Sequence, residues 1–92
     1  IWIFLLCNLL SAKTIVVDIN YNSLSGSSDT CVNGDYKTNF IKDALLNAQS
    51  GDVIKICPGD YYEGNLNVNT WGLNIQSTTL NPEDVRVYNN KA

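Results

Sequence analysis

Two pairs of apolar residues in the second half of the chain recur at one common offset. Ile54 and Ile56 flank Lys55, and Leu73 and Ile75 flank Asn74 in the same way. Leu66 and Val68 flank Asn67, and Val85 and Val87 flank Arg86, so positions 66 and 85 stand as far apart as positions 54 and 73. Alternation with a period of two puts both members of a pair on one face of a strand. Two independent pairs with one offset predict coils stacked in register, each burying its apolar face against the next. In that arrangement all eight side chains point into one core, the strands run parallel, and Lys55 and Asn74 face outward. An antiparallel sandwich is the competing arrangement. It also gives short alternating strands, but no reason for equal offsets.

The segment between the pairs reads SGDVIKICPGDYYEGNLNV, Ser50 to Val68. Pro58 cannot donate to a sheet ladder and fixes its own φ, so it ends a strand over Val53 to Cys57. Gly59 allows a sharp turn. The next strand is then expected around Leu66 to Val68, with Tyr61 and Tyr62 covering the corner. Upstream, TIVVD (Thr14 to Asp18) is a β-branched strand. Asn20 to Gly34 is loop chemistry, rich in Asn, Ser, Gly and Asp. TNFIKDALLNAQSGD carries the helical signal: Phe40, Ile41, Ala44, Leu45 and Ala48 share one face, while Lys42, Asp43 and Asn47 face away. Thr38 is placed to cap its start and Gly51 to take the left-handed position beyond its end.

At 92 residues the chain is one small domain or a piece of a larger one. It contains no methionine, so it is expected to begin downstream of its natural start. IWIFLLCNLL followed by Ser11 and Ala12 has the length and ending of a signal-peptide core, too short to span a bilayer. The expected division is a signal-peptide remnant at 1–12, with Cys7 inside it, and a domain at 13–92 with no membrane span. A buried first strand is the other reading of that apolar run. Export implies a secreted or cell-surface protein in an oxidising compartment, where Cys31 and Cys57 would form a disulfide; two unpaired thiols are the alternative.

Several chemistries are disfavoured. A net charge of -3 with scattered Lys and Arg lacks the clustered basic face that nucleic acid requires. There is no histidine, which rules out histidine triads and leaves too few ligands for zinc. Asp18, Asn20 and Asn22 alternate like the start of a calcium loop, but Ser23 stands where Gly is needed and no Glu closes the loop. Ordinary Asx turns are the better reading. No metal and no cofactor is expected.

The order IVVD, NFIKDALLNAQ, GDVIKICPGDYYE, LNV, LNIQS resembles the amino-terminal cap and first coils of right-handed parallel β-helix proteins of the pectin-lyase-like family. The resemblance covers the whole segment after Ala12. Its most specific part is Gly51-Asp52, an alternating strand, Pro58-Gly59, a tyrosine at 61 or 62, and Glu63. It implies an all-β right-handed parallel β-helix (solenoid) fragment with an amino-terminal capping α-helix that starts and seals the coils. The remaining coils of the same parent chain would be its first partners.

That family includes adhesins and scaffolds as well as pectate lyases, pectin esterases and polygalacturonases. The expectation is a structural and carbohydrate-binding role at the cell surface, with polysaccharide as ligand. The alternative is the start of a polysaccharide-acting enzyme whose catalytic residues lie on later coils. Asp60 and Glu63 stand close together in the chain and form the tempting acid pair, but the resemblance gives this motif to folding, so neither is taken as catalytic. Glu63 is placed to pair with Lys55 or Lys37. Trp71 is the candidate carbohydrate contact, because an aromatic face supplies broad contact area.

Overall fold

A computed structural model of the chain describes residues 12–22 and 30–88. The leader expected at 1–12, with Cys7, lies outside the described residues except for Ala12, and so does Ser23. In chain order the elements are β1 (Thr14–Val17), β2 (Tyr36–Thr38), α1 (Ile41–Asn47), β3 (Val53–Ile56), β4 (Gly59–Tyr62), β5 (Asn74–Ser77), a 3-10 turn (Pro82–Asp84) and β6 (Val85–Tyr88).

Ile15, Val16 and Val17 are all fully buried. A strand apolar on both faces belongs in the middle of a parallel sheet, and β1 lies there. It pairs in parallel with β2 on one side and β3 on the other, and β5 extends the sheet beyond β3. β4 and β6 form a second, two-stranded parallel sheet. Val16 packs against Gly34, where any side chain would collide with the Val16 methyl. The other face of β1 carries Ile15 and Val17 into a core shared with Ile54, Ile56, Tyr61 and the buried face of α1.

The result is a small α/β fold of parallel strands with one helix among the described residues. The expected all-β β-helix with a capping helix is overturned. In a solenoid each coil lies on the one before it. Here β2 leaves β1 on one edge and β3 returns to the opposite edge, so successive segments flank β1. The pairing also departs from the expected offset: Ile54 faces Ile75 rather than Leu73, and Val87 faces Tyr61 rather than Val68. Nor do all eight paired residues enter one core. Ile54 and Ile56 are buried, but Val68, Ile75 and Val87 are 57, 44 and 48 % exposed.

The segment around Leu66 to Val68 forms no strand. Asn65 takes a positive φ of 58°, which breaks the extended backbone just before it. Gly59–Tyr62 forms the strand after the corner instead, with Tyr61 fully buried in the core; Leu66 still packs against that core, while Val68 is exposed. Gly59 has φ +152°, and a Cβ there would lie 2.9 Å from the Ile19 side chain, so the corner accepts glycine for shape and for space.

Ile41, Ala44 and Ala48 of the helical segment are buried as their spacing predicts, with Leu45 packed against them. Phe40, expected on that face, is 55 % exposed. Thr38 belongs to β2 and its Oγ1 accepts from the Phe40 N–H at 3.3 Å, while no side chain of the capping residue itself bonds the helix. Gly51 takes a left-handed φ of 94°, but in the turn before β3 rather than at the end of α1, whose C-cap is the extended Ala48. The Gly51 N–H donates to the Gly72 carbonyl at 3.1 Å, tying the turn before β3 to the turn before β5.

Cys31 and Cys57 form a disulfide, with S–S 2.04 Å and Cα atoms 6.0 Å apart. It pins the loop after residue 30 to the end of β3. Closing that loop contributes about 3.5 kcal/mol in the chain-entropy model.

Candidate functional site

The acidic corner is bound into the fold. Both carboxylate oxygens of Glu63 accept from the start of α1: from Ile41 N–H at 2.6 Å and from Lys42 N–H at 2.9 Å. These N–H groups have no partner within the helix, and a carboxylate there is favoured by hydrogen bonding and by the helix dipole. The expected pairing of Glu63 with Lys55 or Lys37 gives way to this cap. Asp60, which pairs in register with Arg86, sits at an exposed strand position. The two acids thus have separate duties.

Asp18 is likewise committed. Its Oδ1 accepts from Asn20 N–H at 2.9 Å, an Asx turn, and its Oδ2 accepts from Cys31 N–H at 2.9 Å. Asp18 and both cysteine sulfurs lie within 4.8 Å of one another. The sulfurs are bonded to each other, so they offer no thiolate to a metal.

Buried Asp52 accepts from the Lys13 backbone N–H at 3.0 Å, from Gln49 N–H at 2.8 Å and from the Lys13 ammonium at 2.9 Å. Burial pushes its carboxyl up. The two backbone donors and the Lys13 charge outweigh that and hold it below the usual carboxylate range.

One open cleft runs along α1; a separate hollow of about 420 Å³ lies between Tyr21, Tyr36, Thr38 and Asp43. At one end of the cleft a hollow of about 390 Å³ is lined by Phe40, Lys42, Asp43, Leu46, Tyr62, Glu63 and Gly64. A second, of about 120 Å³, adjoins it through the shared residues Lys42 and Leu46 and is lined further by Leu45, Asn65, Asn67 and Asn69. Leu46 is 77 % and Tyr62 58 % exposed. Packing elsewhere holds the walls. The Tyr62 ring stacks on Tyr88 with centroids 5.1 Å apart and planes at 16°, an aromatic pair across β4 and β6. Asp43 accepts from the Tyr36 hydroxyl at 2.7 Å and from Asn47 Nδ2 at 3.3 Å. That bond to Asp43 is the main reason the Tyr36 phenol is raised above its ordinary range.

In the second hollow, Asn65, Asn67 and Asn69 recur at every second position, and all three are exposed. Their amide groups make no hydrogen bond among the described residues. Lys42, which lines both hollows, has no carboxylate partner among them either.

Trp71 is 85 % exposed in the turn before β5 and lies outside both hollows. Sequence reasoning thus singles out an exposed aromatic but misses the aromatic cleft. In the sequence Tyr62 reads as cover for the corner and Phe40 as core. The asparagine alternation at 65, 67 and 69 is the legible signal, hidden because the apolar residues between them read as a strand.

No protein-family model, curated protein or solved structure matches the chain.

Among the described residues no helix is long and apolar enough to cross a membrane.

Proposed function

We propose that the chain is a structural and carbohydrate-binding module of an exported or cell-surface protein, and that it takes polysaccharide along α1. The observation that carries this reading is the cleft itself: exposed Phe40 and Tyr62 at one end, and at the other the amides of Asn65, Asn67 and Asn69, which make no hydrogen bond among the described residues. A sugar ring needs an apolar face for its C–H side and amide donors and acceptors for its hydroxyls. Exposed aromatics backed by a second ring lose little entropy on binding, because Tyr62 is already held by Tyr88. Trp71, exposed in the turn before β5, is a secondary contact in this reading.

Export is supported by the disulfide, which persists in oxidising compartments. An acid–base role for the corner has little to draw on, since Glu63 is held by α1 through both oxygens.

The test is retardation of the protein in native gels containing soluble polysaccharides, with Tyr62→Ala, Phe40→Ala and Trp71→Ala beside the parent chain. Tyr62→Ala and Phe40→Ala should each abolish most retardation, and Trp71→Ala should weaken it less. If no polysaccharide retards the chain, or if loss of Tyr62 changes nothing, the proposal is wrong.

A further inference from the structure

We infer that the polysaccharide this cleft takes is uncharged, an extended neutral glycan. The inference rests on the carbohydrate reading above and adds the class of sugar.

The charges lining the cleft decide it. Two carboxylates, Asp43 and Glu63, stand against one ammonium, Lys42. A uronate or sulfate group would meet one cation and two anions at short range. The other feature able to draw an anion, the first N–H groups of α1, is already taken: Ile41 and Lys42 both donate to Glu63. The whole chain adds to the repulsion, with a net charge of -3.

For neutral hydroxyls the same lining is complementary. Amides offer two donors and an acceptor each, which suits sugar O–H groups. Asn65, Asn67 and Asn69 present three such amides in a row. All three line the same hollow beside Leu45 and Leu46 of α1, which suits an extended ligand that lies along the helix. The aromatic end then stacks one ring of the glycan, and the shared residues Lys42 and Leu46 set the two hollows side by side.

The experiment is affinity electrophoresis of the full chain in gels cast with neutral polymers (a mixed-linkage β-glucan, a galactomannan, a galactan) and with acidic ones (polygalacturonate, hyaluronate). It is run at low and at raised salt. At least one neutral polymer should retard the protein to the same extent at both salts, because no ion pair is screened, and the acidic polymers should not. Asn67→Ala should weaken that retardation roughly threefold to tenfold, the worth of one or two neutral hydrogen bonds. Circular dichroism of the same variant checks that it is folded, and Asn69→Ala is the second variant should it not be. Retardation by the acidic polymers alone, fading with salt, would overturn the inference while leaving the carbohydrate reading standing. Retardation by none removes both.

Discussion

Glu63 caps α1 from outside it, its carboxylate 2.6 Å from the backbone nitrogen of Ile41, which lies far earlier in the chain. The helix has only seven residues. A helix that short is marginal in water and holds through packing and its ends. One carboxylate thus joins the corner after β4 to the element that covers the core.

Glu63→Ala should therefore destabilise the protein by roughly 1–2 kcal/mol, the cost of an N-terminal cap that satisfies two donors. Asp60→Ala, at an exposed strand position, should cost well under about 1 kcal/mol, as surface changes do. Urea denaturation of both variants measures the contrast. Equal effects would mean that the cap carries no weight.

The Tyr61 hydroxyl is buried. It donates to the Cys57 carbonyl at 2.8 Å and accepts from Ile19 N–H at 3.2 Å. Burial, with the nearby charges of Asp18 and Glu63, outweighs the Ile19 donor, and the phenol is pushed up to about 12 from 10.0. Its folded value is above its unfolded one. The stability it contributes is whole below about pH 10 and is lost as the pH rises towards about 12. Tyr61→Phe should cost about 1–3 kcal/mol near neutrality by leaving the Cys57 carbonyl unpaired in the core, and should flatten the alkaline fall in stability. Unfolding followed across that pH range by tyrosinate absorbance checks both.

Asp52 works in the opposite direction. Its folded value is depressed, so its contribution is present above the unfolded value of 3.8 and disappears as the pH falls through the lower, folded value. Acid should unfold the parent chain through this group, and Asp52→Asn should weaken the acid dependence while lowering stability at neutral pH. Parallel pH titrations of the melting temperature decide it: an unchanged acid limb in Asp52→Asn counts against the role.

Reduction of the Cys31–Cys57 bond should lower stability by about 3.5 kcal/mol, the loop-closure entropy it removes from the unfolded chain. Cys31→Ser with Cys57→Ser should match the reduced protein. Chemical denaturation with and without a thiol reductant provides the measurement. A loss below about 1 kcal/mol would show that the unfolded chain is already constrained there.

Ile54 and Ile75 face each other across β3 and β5, yet Ile54 is fully buried and Ile75 is 44 % exposed. Ile54→Ala should cost about 2–5 kcal/mol, and Ile75→Ala well under that. Comparable losses in chemical denaturation would place Ile75 in the core, as the repeat spacing predicts.

The sequence by itself determined the local elements. The β-branched run at Thr14–Val17, the alternation at Ile54 and Ile56, the proline stop at Pro58, the buried helix positions Ile41 and Ala44 and the cysteine pair can all be read before any coordinates. Each depends on chemistry within a few residues or, for the cysteines, on assigning Cys7 to the expected leader, which leaves Cys31 and Cys57 to join. Tertiary structure alone decided which strand lies beside which. β1 became the central strand because it is apolar on both faces and β2 and β3 could take opposite edges. The strand after the corner formed at Gly59–Tyr62, with Tyr61 fully buried, Leu66 packed against the core from outside any strand and Val68 exposed. The same long-range choice drew Glu63 to α1 and left Phe40, Tyr62 and the asparagines of 65–69 to line an open cleft. Periodicity records which residues want burial; it holds no record of which partner will bury them, because that is settled by packing between segments far apart in the chain.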